Sequence, residues 1–137
     1  MKKKIKLYDS TLRDGAQTKG VNFSLNDKLK IISLLDEIGI DYIEGGWPGA
    51  NPTDNVFFQK LPKLRNSKAV AFGMMRKFGK SSQNDSGLNA VLNSGVSTVC
   101  LVGKSWDFHV KNALKIPLNK NLDMISDTIA FASKRVD

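Results

Sequence analysis

A dense group of polar side chains follows the first apolar run of the chain, in the stretch Asp9-Ser-Thr-Leu-Arg-Asp-Gly-Ala-Gln17. The next apolar run ends at Glu44, which two glycines follow. Carboxylates gathered in one place are costly unless a cation or an arginine lies among them, and their oxygens suit hard cations such as Mg²⁺ or Mn²⁺. The pattern therefore predicts one polar site, whose candidate residues are Asp9, Arg13, Asp14, Gln17 and Glu44.

Each of these residues also has a simpler interpretation. Asp9 could shape a turn, and Arg13 and Asp14 could form an exposed ion pair. The position of Glu44 favours the site, because in parallel α/β folds ligands bind at the carboxyl ends of the strands. We therefore expect Glu44 to lie level with Asp9, one strand over, and these side chains to converge on one face.

The elements that must position this site alternate along the chain. Four short apolar runs predict strands, and each is followed by a helix-like pattern. Ser24 and Asp27 predict a capping box and Gly39 a helix end. The predicted strands span 5–8, 40–43, 69–72 and 96–102. The predicted helices span 25–38, a segment after Asn51-Pro52, 88–92 and about 122–134. The last helix has a predicted apolar face of Leu122, Ile125, Ile129 and Ala132.

Alternation of strand and helix predicts a parallel sheet with helical crossovers. It leaves open whether the sheet closes on itself. Four units could be half of a barrel in a truncated chain, a small open α/β domain, or a half that pairs with another half.

Length, charge and cysteine content limit the function classes. The 137 residues fit one globular domain, and no apolar run is long enough to span a membrane, so we expect a cytoplasmic protein without a membrane partner. Cys100 is the only cysteine, which excludes an intrachain disulfide and predicts a small buried apolar residue there. The net charge of +8 leaves a non-catalytic basic binding module as an alternative, but the lysines are scattered and no nucleic-acid motif is present, so we expect no nucleic-acid partner.

The stretch from Asp9 to Gln17 resembles the first-strand signature of the acyltransferase and lyase superfamily that holds 2-isopropylmalate synthase, homocitrate synthase, citramalate synthase and the hydroxymethylglutaryl-CoA lyases. Tyr42-Ile-Glu-Gly-Gly-Trp-Pro-Gly49 and Gly103-Lys-Ser-Trp-Asp-Phe-His-Val110 extend the resemblance over essentially the whole chain and are most similar to the citramalate synthase type. The resemblance implies a (β/α)₈ TIM barrel. Residues 1–137 would supply its first four βα units, as a partial catalytic domain with no second domain.

The resemblance also implies a role for each candidate residue. Asp14 corresponds to the carboxylate that binds a divalent metal, which would be Mg²⁺ or Mn²⁺, with Zn²⁺ as a further option. Arg13 corresponds to the catalytic arginine that holds a 2-oxo acid, and Glu44 to the second-strand acid of the same catalytic group. Asp9 and Gln17 match positions that support or line the substrate site.

The implied reaction condenses acetyl-CoA, as co-substrate, with pyruvate to give (R)-citramalate for isoleucine synthesis. The sister reaction of 2-isopropylmalate synthase, with 2-oxoisovalerate, is the alternative within the family. The family completes its metal site with a His-x-His pair at a late strand, and this chain has only His109, for which we expect a structural role. We therefore expect this chain alone to be inactive and the full-length enzyme to be a homodimer.

Overall fold

The computed structural model describes residues 5–136, in which four strands form one parallel sheet. The strand order is β1-β2-β3-β4, so each strand lies beside the one before it in sequence. This arrangement confirms the predicted α/β fold with four parallel strands alternating with helices. The elements are β1 Tyr8–Asp9, α1 Leu25–Glu37, β2 Tyr42–Gly46, α2 Pro52–Gln59, β3 Lys68–Met74, α3 Ser86–Leu92, β4 Thr98–Val102, α4 Asp107–His109 and α5 Leu118–Ala132.

Strands β1, β2 and β4 begin later than predicted, because the start of each apolar run lies outside the strand, whereas β3 extends beyond the predicted 69–72 at both ends. The N–H of Ile40 donates to the carbonyl of Leu35, so Ile40 belongs to the turn that closes α1, and β2 begins only at Tyr42. At the start of the chain β1 contains only two residues, Tyr8 and Asp9. The predicted first strand was therefore placed too early, although Leu7 still accepts a backbone hydrogen bond from Tyr42.

The helix starts follow the sequence closely where a local cap fixes them. Ser24 and Asp27 form the predicted capping box, with both reciprocal hydrogen bonds present. Asn51 accepts from the N–H of Asp54 and is followed by Pro52 in the first helical position. Gly39 has a φ of +83°, the left-handed conformation expected of a residue that ends a helix.

The buried face of α5 matches the predicted one only in part. Ala132 is buried and Ile125 packs against a core cluster, as predicted. Leu122 and Ile129 are instead 65% and 53% exposed, and the other buried positions are Asn121, Met124 and Thr128. Thr128 accepts from the N–H of Arg76, and Asn121 donates to the carbonyl of Lys104. Two polar side chains share the buried face with Met124 and Ala132 because they satisfy backbone groups of the loops that follow β3 and β4.

The two faces of the sheet have different roles. Outward-facing residues such as Ile43 and Ala71 pack in the main core against α1, α2 and α3, through Ile32, Phe57 and Val91 among others. The register pairs Glu44 with Val70 and Phe72 with Cys100, and these residues share the opposite face. Side chains at the end of that face form the candidate site.

The helices of the described part are all too short or too polar to cross a membrane.

Candidate active site

Three of the predicted site residues are joined by direct contacts. The Nε–H of Arg13 donates to Oε2 of Glu44 at 2.6 Å, and Nη1 of the same guanidinium donates to Oδ1 of Asp14 at 3.1 Å. Glu44 is only 1% exposed, whereas the side chain of Asp14 is 63% exposed. A buried carboxylate therefore holds an arginine whose far side carries a second, solvent-facing carboxylate.

The guanidinium of Arg13 is fixed by an aromatic ring as well. Its Cζ lies 4.1 Å from the centre of the Phe72 ring, a cation–π contact that restricts the plane of the guanidinium. Nη2 of Arg13 has no hydrogen-bond partner among residues 5–136. The geometry thus leaves directed donors available for an anionic ligand.

Tyr8 is a second hydrogen-bond donor to Glu44, and it was not among the site residues predicted from the sequence. Its hydroxyl donates to Oε1 of Glu44 at 2.8 Å. Burial, and then the hydrogen bond to Glu44, raise the pKa of Tyr8, so the phenol stays protonated as a donor. The strand period could have revealed this residue, because the register aligns Tyr8 with Tyr42 and so places it on the same face as Glu44.

Cys100 lies beside the same groups. It is half-buried, not enclosed in the core as its sequence context predicted, and its thiol is within reach of Tyr8 and Glu44. Burial raises the pKa of this thiol, and the charge of Glu44 adds to the effect. The group is therefore a neutral thiol at the rim of the site.

In the described part of the chain, the side chains of Asp9 and Gln17 make no hydrogen bond to Arg13 or Glu44. The carboxylate of Asp9 accepts from the backbone N–H and the hydroxyl of Thr11 at 3.0 and 2.9 Å, and so shapes the turn after β1. We expected Asp9 to lie level with Glu44, but the register pairs Asp9 with Ile43. The prediction was therefore wrong by one residue along β2. A substrate contact for Asp9 stays a prediction.

Gln17 lines a cleft of about 370 Å³ together with Arg13 and Trp47. At the base of this cleft lies an ion pair between Lys28 and Asp54, whose side chains are 4% and 7% exposed. Oδ2 of Asp54 accepts from the N–H of Trp47 and from Nδ2 of Asn51, both at 2.8 Å. The pair therefore holds the loop after β2 against α1.

The close approach of Asp54 explains the glycine that ends β2. Gly46 has a φ of +152°, and a Cβ atom built there would lie 2.5 Å from Cγ of Asp54. Any side chain at this position would displace the buried carboxylate. Gly46 is needed for the packing of the cleft wall.

The described residues supply only part of a metal site. Residues 5–136 contain no cluster of three His, Cys, Asp or Glu side chains placed to hold a metal ion. Asp14 fits one ligand position, because it is exposed and only its Oδ1 has a hydrogen-bond partner in the described part of the chain. His109 is the last residue of the short helix α4 that follows β4, where the centre of its ring is 4.7 Å from that of Trp106.

Comparisons with known proteins place these residues in a family context. Residues 4–137 match the family described as HMGL-like. A relative named (R)-citramalate synthase from Aquifex aeolicus is 48% identical over all of this chain and 26% of its own length. One of the same name from Synechocystis sp. is 51% identical over 91% of this chain and 23% of its own length. The chain thus spans about a quarter of these relatives.

More distant similarities agree with the fold. A protein named 2-isopropylmalate synthase 2 from Caldanaerobacter subterraneus is 35% identical over 96% of this chain and 33% of its own length. The HMG-CoA lyase structures from Bacillus subtilis and Pseudomonas aeruginosa each match with a TM-score of 0.72, at 19% and 20% identity. Both matches cover 96% of this chain and 43% of the lyase, so they support the architecture alone.

Proposed function

Because the chain belongs to the HMGL-like family, we propose that it forms the first half of a (β/α)₈ catalytic domain that condenses acetyl-CoA with a short 2-oxo acid. Relatives named (R)-citramalate synthase at 44–51% identity support pyruvate as that acid and (R)-citramalate as the product. The remaining units of the barrel would come from outside these 137 residues. Isoleucine synthesis, a cytoplasmic location and a homodimer are further parts of the proposal.

The arrangement of Arg13 is the observation that carries this proposal. A 2-oxo acid has a carboxylate and a ketone oxygen on adjacent carbons, and a guanidinium can donate to such oxygens through two directed N–H groups. Glu44 occupies the Nε–H of Arg13 and Asp14 accepts from Nη1, so Nη2 and the second N–H of Nη1 remain for the substrate. Negative charge grows on the ketone oxygen when the deprotonated methyl group of acetyl-CoA attacks the ketone carbon. A fixed cation beside that oxygen stabilises the transition state.

Glu44 and Phe72 keep the arginine in place before the substrate arrives. The buried carboxylate and the ring fix its position and plane, so little reorganisation is needed during the reaction. Gln17 would line the substrate site from the cleft side. After the new carbon–carbon bond forms, hydrolysis of the thioester releases CoA and makes the reaction irreversible.

Asp14 is the residue of this chain that would hold a divalent metal. Mg²⁺, Mn²⁺ or Zn²⁺ bound there supplies a Lewis acid that polarises the ketone. The carboxylate is exposed beside Arg13, and its neighbour's positive charge keeps the net charge of the site low. The other ligands would come from the part of the barrel outside this chain.

The test is an assay of the full-length enzyme with acetyl-CoA and either pyruvate or 2-oxoisovalerate, in the presence of Mn²⁺. We expect release of free CoA with pyruvate and a product that chromatography and mass spectrometry identify as (R)-citramalate. A clear preference for 2-oxoisovalerate would replace the proposal by a 2-isopropylmalate synthase, which the relative at 35% identity makes the second candidate. No CoA release with either acid, together with salt-sensitive DNA binding, would favour a basic binding module.

A further inference from the structure

Among residues 5–136, the hydroxyl of Tyr8 and the guanidinium of Arg13 are the two strong donors to a carboxylate that has almost no contact with solvent. Glu44 is 1% exposed and accepts from Arg13 at Oε2 and from Tyr8 at Oε1. The terminal torsion of a glutamate is soft, so one hydrogen bond leaves the carboxylate free to turn. Two donors on different oxygens define its plane.

The orientation of Glu44 decides that of Arg13. Oε2 of Glu44 holds the Nε–H of Arg13 at 2.6 Å, and the direction of Nε–H sets where the two terminal nitrogens point. Without the Tyr8 hydroxyl, Oε1 would lose its strong donor and keep only the Cys100 thiol, a weak donor, within reach, which favours rotation of the carboxylate or entry of water. Either change would move the guanidinium over Phe72.

We propose that Tyr8 is a positioning residue, whose hydroxyl holds Glu44 in the orientation in which Glu44 aims the terminal nitrogens of Arg13. The inference rests on the proposed condensation for its kinetic test and not for its geometry. Tyr8 does not reach the substrate in this scheme. It acts on Arg13 through Glu44.

Tyr42 provides a matched control. Its ring stacks on that of Tyr8 with centroids 6.4 Å apart, and its hydroxyl accepts from Lys6 at 3.0 Å, outside the Glu44 network. Both Tyr8→Phe and Tyr42→Phe remove one hydroxyl from this face and keep the aromatic ring. Only Tyr8→Phe removes a donor to Glu44.

The experiment compares the two variants in the full-length enzyme with pyruvate and acetyl-CoA. Tyr8→Phe should lower kcat by about 10- to 10²-fold, as a small misplacement of a catalytic group does, with the KM for acetyl-CoA changed by less than about twofold. Tyr42→Phe should leave both constants within about twofold of the wild type. Equal effects of the two variants would overturn the inference.

A double variant tests the route through Arg13. Once Arg13→Lys has removed the directed donors, Tyr8→Phe should cost no more than about a further twofold in kcat. Multiplication of the two separate losses would show that Tyr8 acts by another route, and the inference would be wrong.

A crystal structure of the Tyr8→Phe enzyme keeps this question separate from the proposed reaction. If the wild-type enzyme releases no CoA, the proposed function fails, but the positions of Glu44 and Arg13 can still be compared with the wild type. We expect the carboxylate to be rotated and the guanidinium to be displaced. Unchanged positions of both groups would contradict the role given to Tyr8.

Discussion

The guanidinium of Arg13 lies against the ring of Phe72, with 4.1 Å between Cζ and the ring centre, while its Nε–H is held by Glu44. A lysine keeps the charge but has one nitrogen, which cannot face Glu44, Asp14 and a substrate oxygen in the same directions. In the full-length enzyme, Arg13→Lys should lower kcat by about 10²-fold or more, comparable to the loss of an oxyanion donor. Steady-state kinetics with pyruvate measure this.

Arg135 offers the control for that substitution. Its guanidinium also lies over an aromatic ring, that of Phe131 at 3.7 Å, and donates to a backbone carbonyl at the end of α5. Arg135→Lys should leave kcat unchanged. A near-normal kcat for Arg13→Lys, or similar losses for both variants, would remove Arg13 from its catalytic role.

Asp14→Asn should chiefly weaken metal binding. The exposed carboxylate supplies the charge that a divalent cation needs, and an amide oxygen lacks it. We expect the Mn²⁺ concentration for half-maximal activity to rise by about 10-fold or more. Loss of a residue that only hydrogen-bonds to a metal ligand already weakens metal binding by about that factor. Asp123→Asn, which removes an exposed acid paired with Lys120, should leave the titration unchanged. An unaltered titration for Asp14→Asn would mean that this residue is not a ligand.

Because Lys28 forms a buried ion pair with Asp54, we expect substitution of Lys28 to destabilise the protein much more than substitution of Lys30 in the same helix. Lys28→Met leaves a carboxylate buried without its counter-charge, which typically costs about 3–5 kcal/mol. Lys30→Met, at an exposed position two residues later, should change the free energy of unfolding by less than about 0.5 kcal/mol. Urea denaturation of the two variants gives the comparison, and equal midpoints would contradict it.

Asp36 should stabilise the fold in a pH-dependent way. Burial alone would raise the pKa of Asp36, but the backbone N–H groups of Arg65, Asn66 and Ser67 donate to its carboxylate and together hold the pKa below its ordinary value. Since the folded-state pKa is depressed, the stabilisation is present above the unfolded-state pKa of about 3.9 and is lost as the pH falls through that value toward the folded-state pKa.

Asp36→Asn should therefore destabilise the protein by about 1–2 kcal/mol at pH 7, and the difference from the wild type should shrink below about pH 4. Unfolding midpoints measured from pH 7 down to pH 3 test this. Glu37→Gln, the exposed neighbour on the same helix, should show no such trend. A constant difference for Asp36→Asn across the range would argue against the carboxylate as the source of the stability.

Local sequence signals predicted the elements whose causes are local. The Ser24 capping box and the Asn51-Pro52 start specify helix ends within a few residues of chain, so both could be identified from the sequence. The buried face of α5 could not be fully identified from the sequence. Leu122 and Ile129 fit an apolar stripe, but the buried side is set by backbone groups of distant loops, which Asn121 and Thr128 satisfy.

The same distinction holds for the site. Glu44 and Arg13 could be placed together because Glu44 lies near the carboxyl end of β2 and Arg13 follows the end of β1, and the topology of parallel sheets fixes where those ends lie. Tyr8, Lys28 and Asp54 were missed because their roles depend on partners 26 to 36 positions away in sequence. An apolar or charged residue inside a helix or strand gives no local sign of such a partner.

The order of the strands in the sheet bears on how the protein is made. Each strand pairs with the one synthesised just before it, at roughly 30 positions of separation (Tyr8 with Tyr42, Tyr42 with Lys68, Val70 with Thr98). At a synthesis rate of about 5–20 residues per second, a new strand leaves the ribosome every few seconds, long after the earlier unit has had time to form. The nascent chain can therefore add one βα unit at a time to a growing sheet edge, and ribosome-bound chains that stop after β2, β3 or β4 should show stepwise protection of backbone amides from hydrogen exchange.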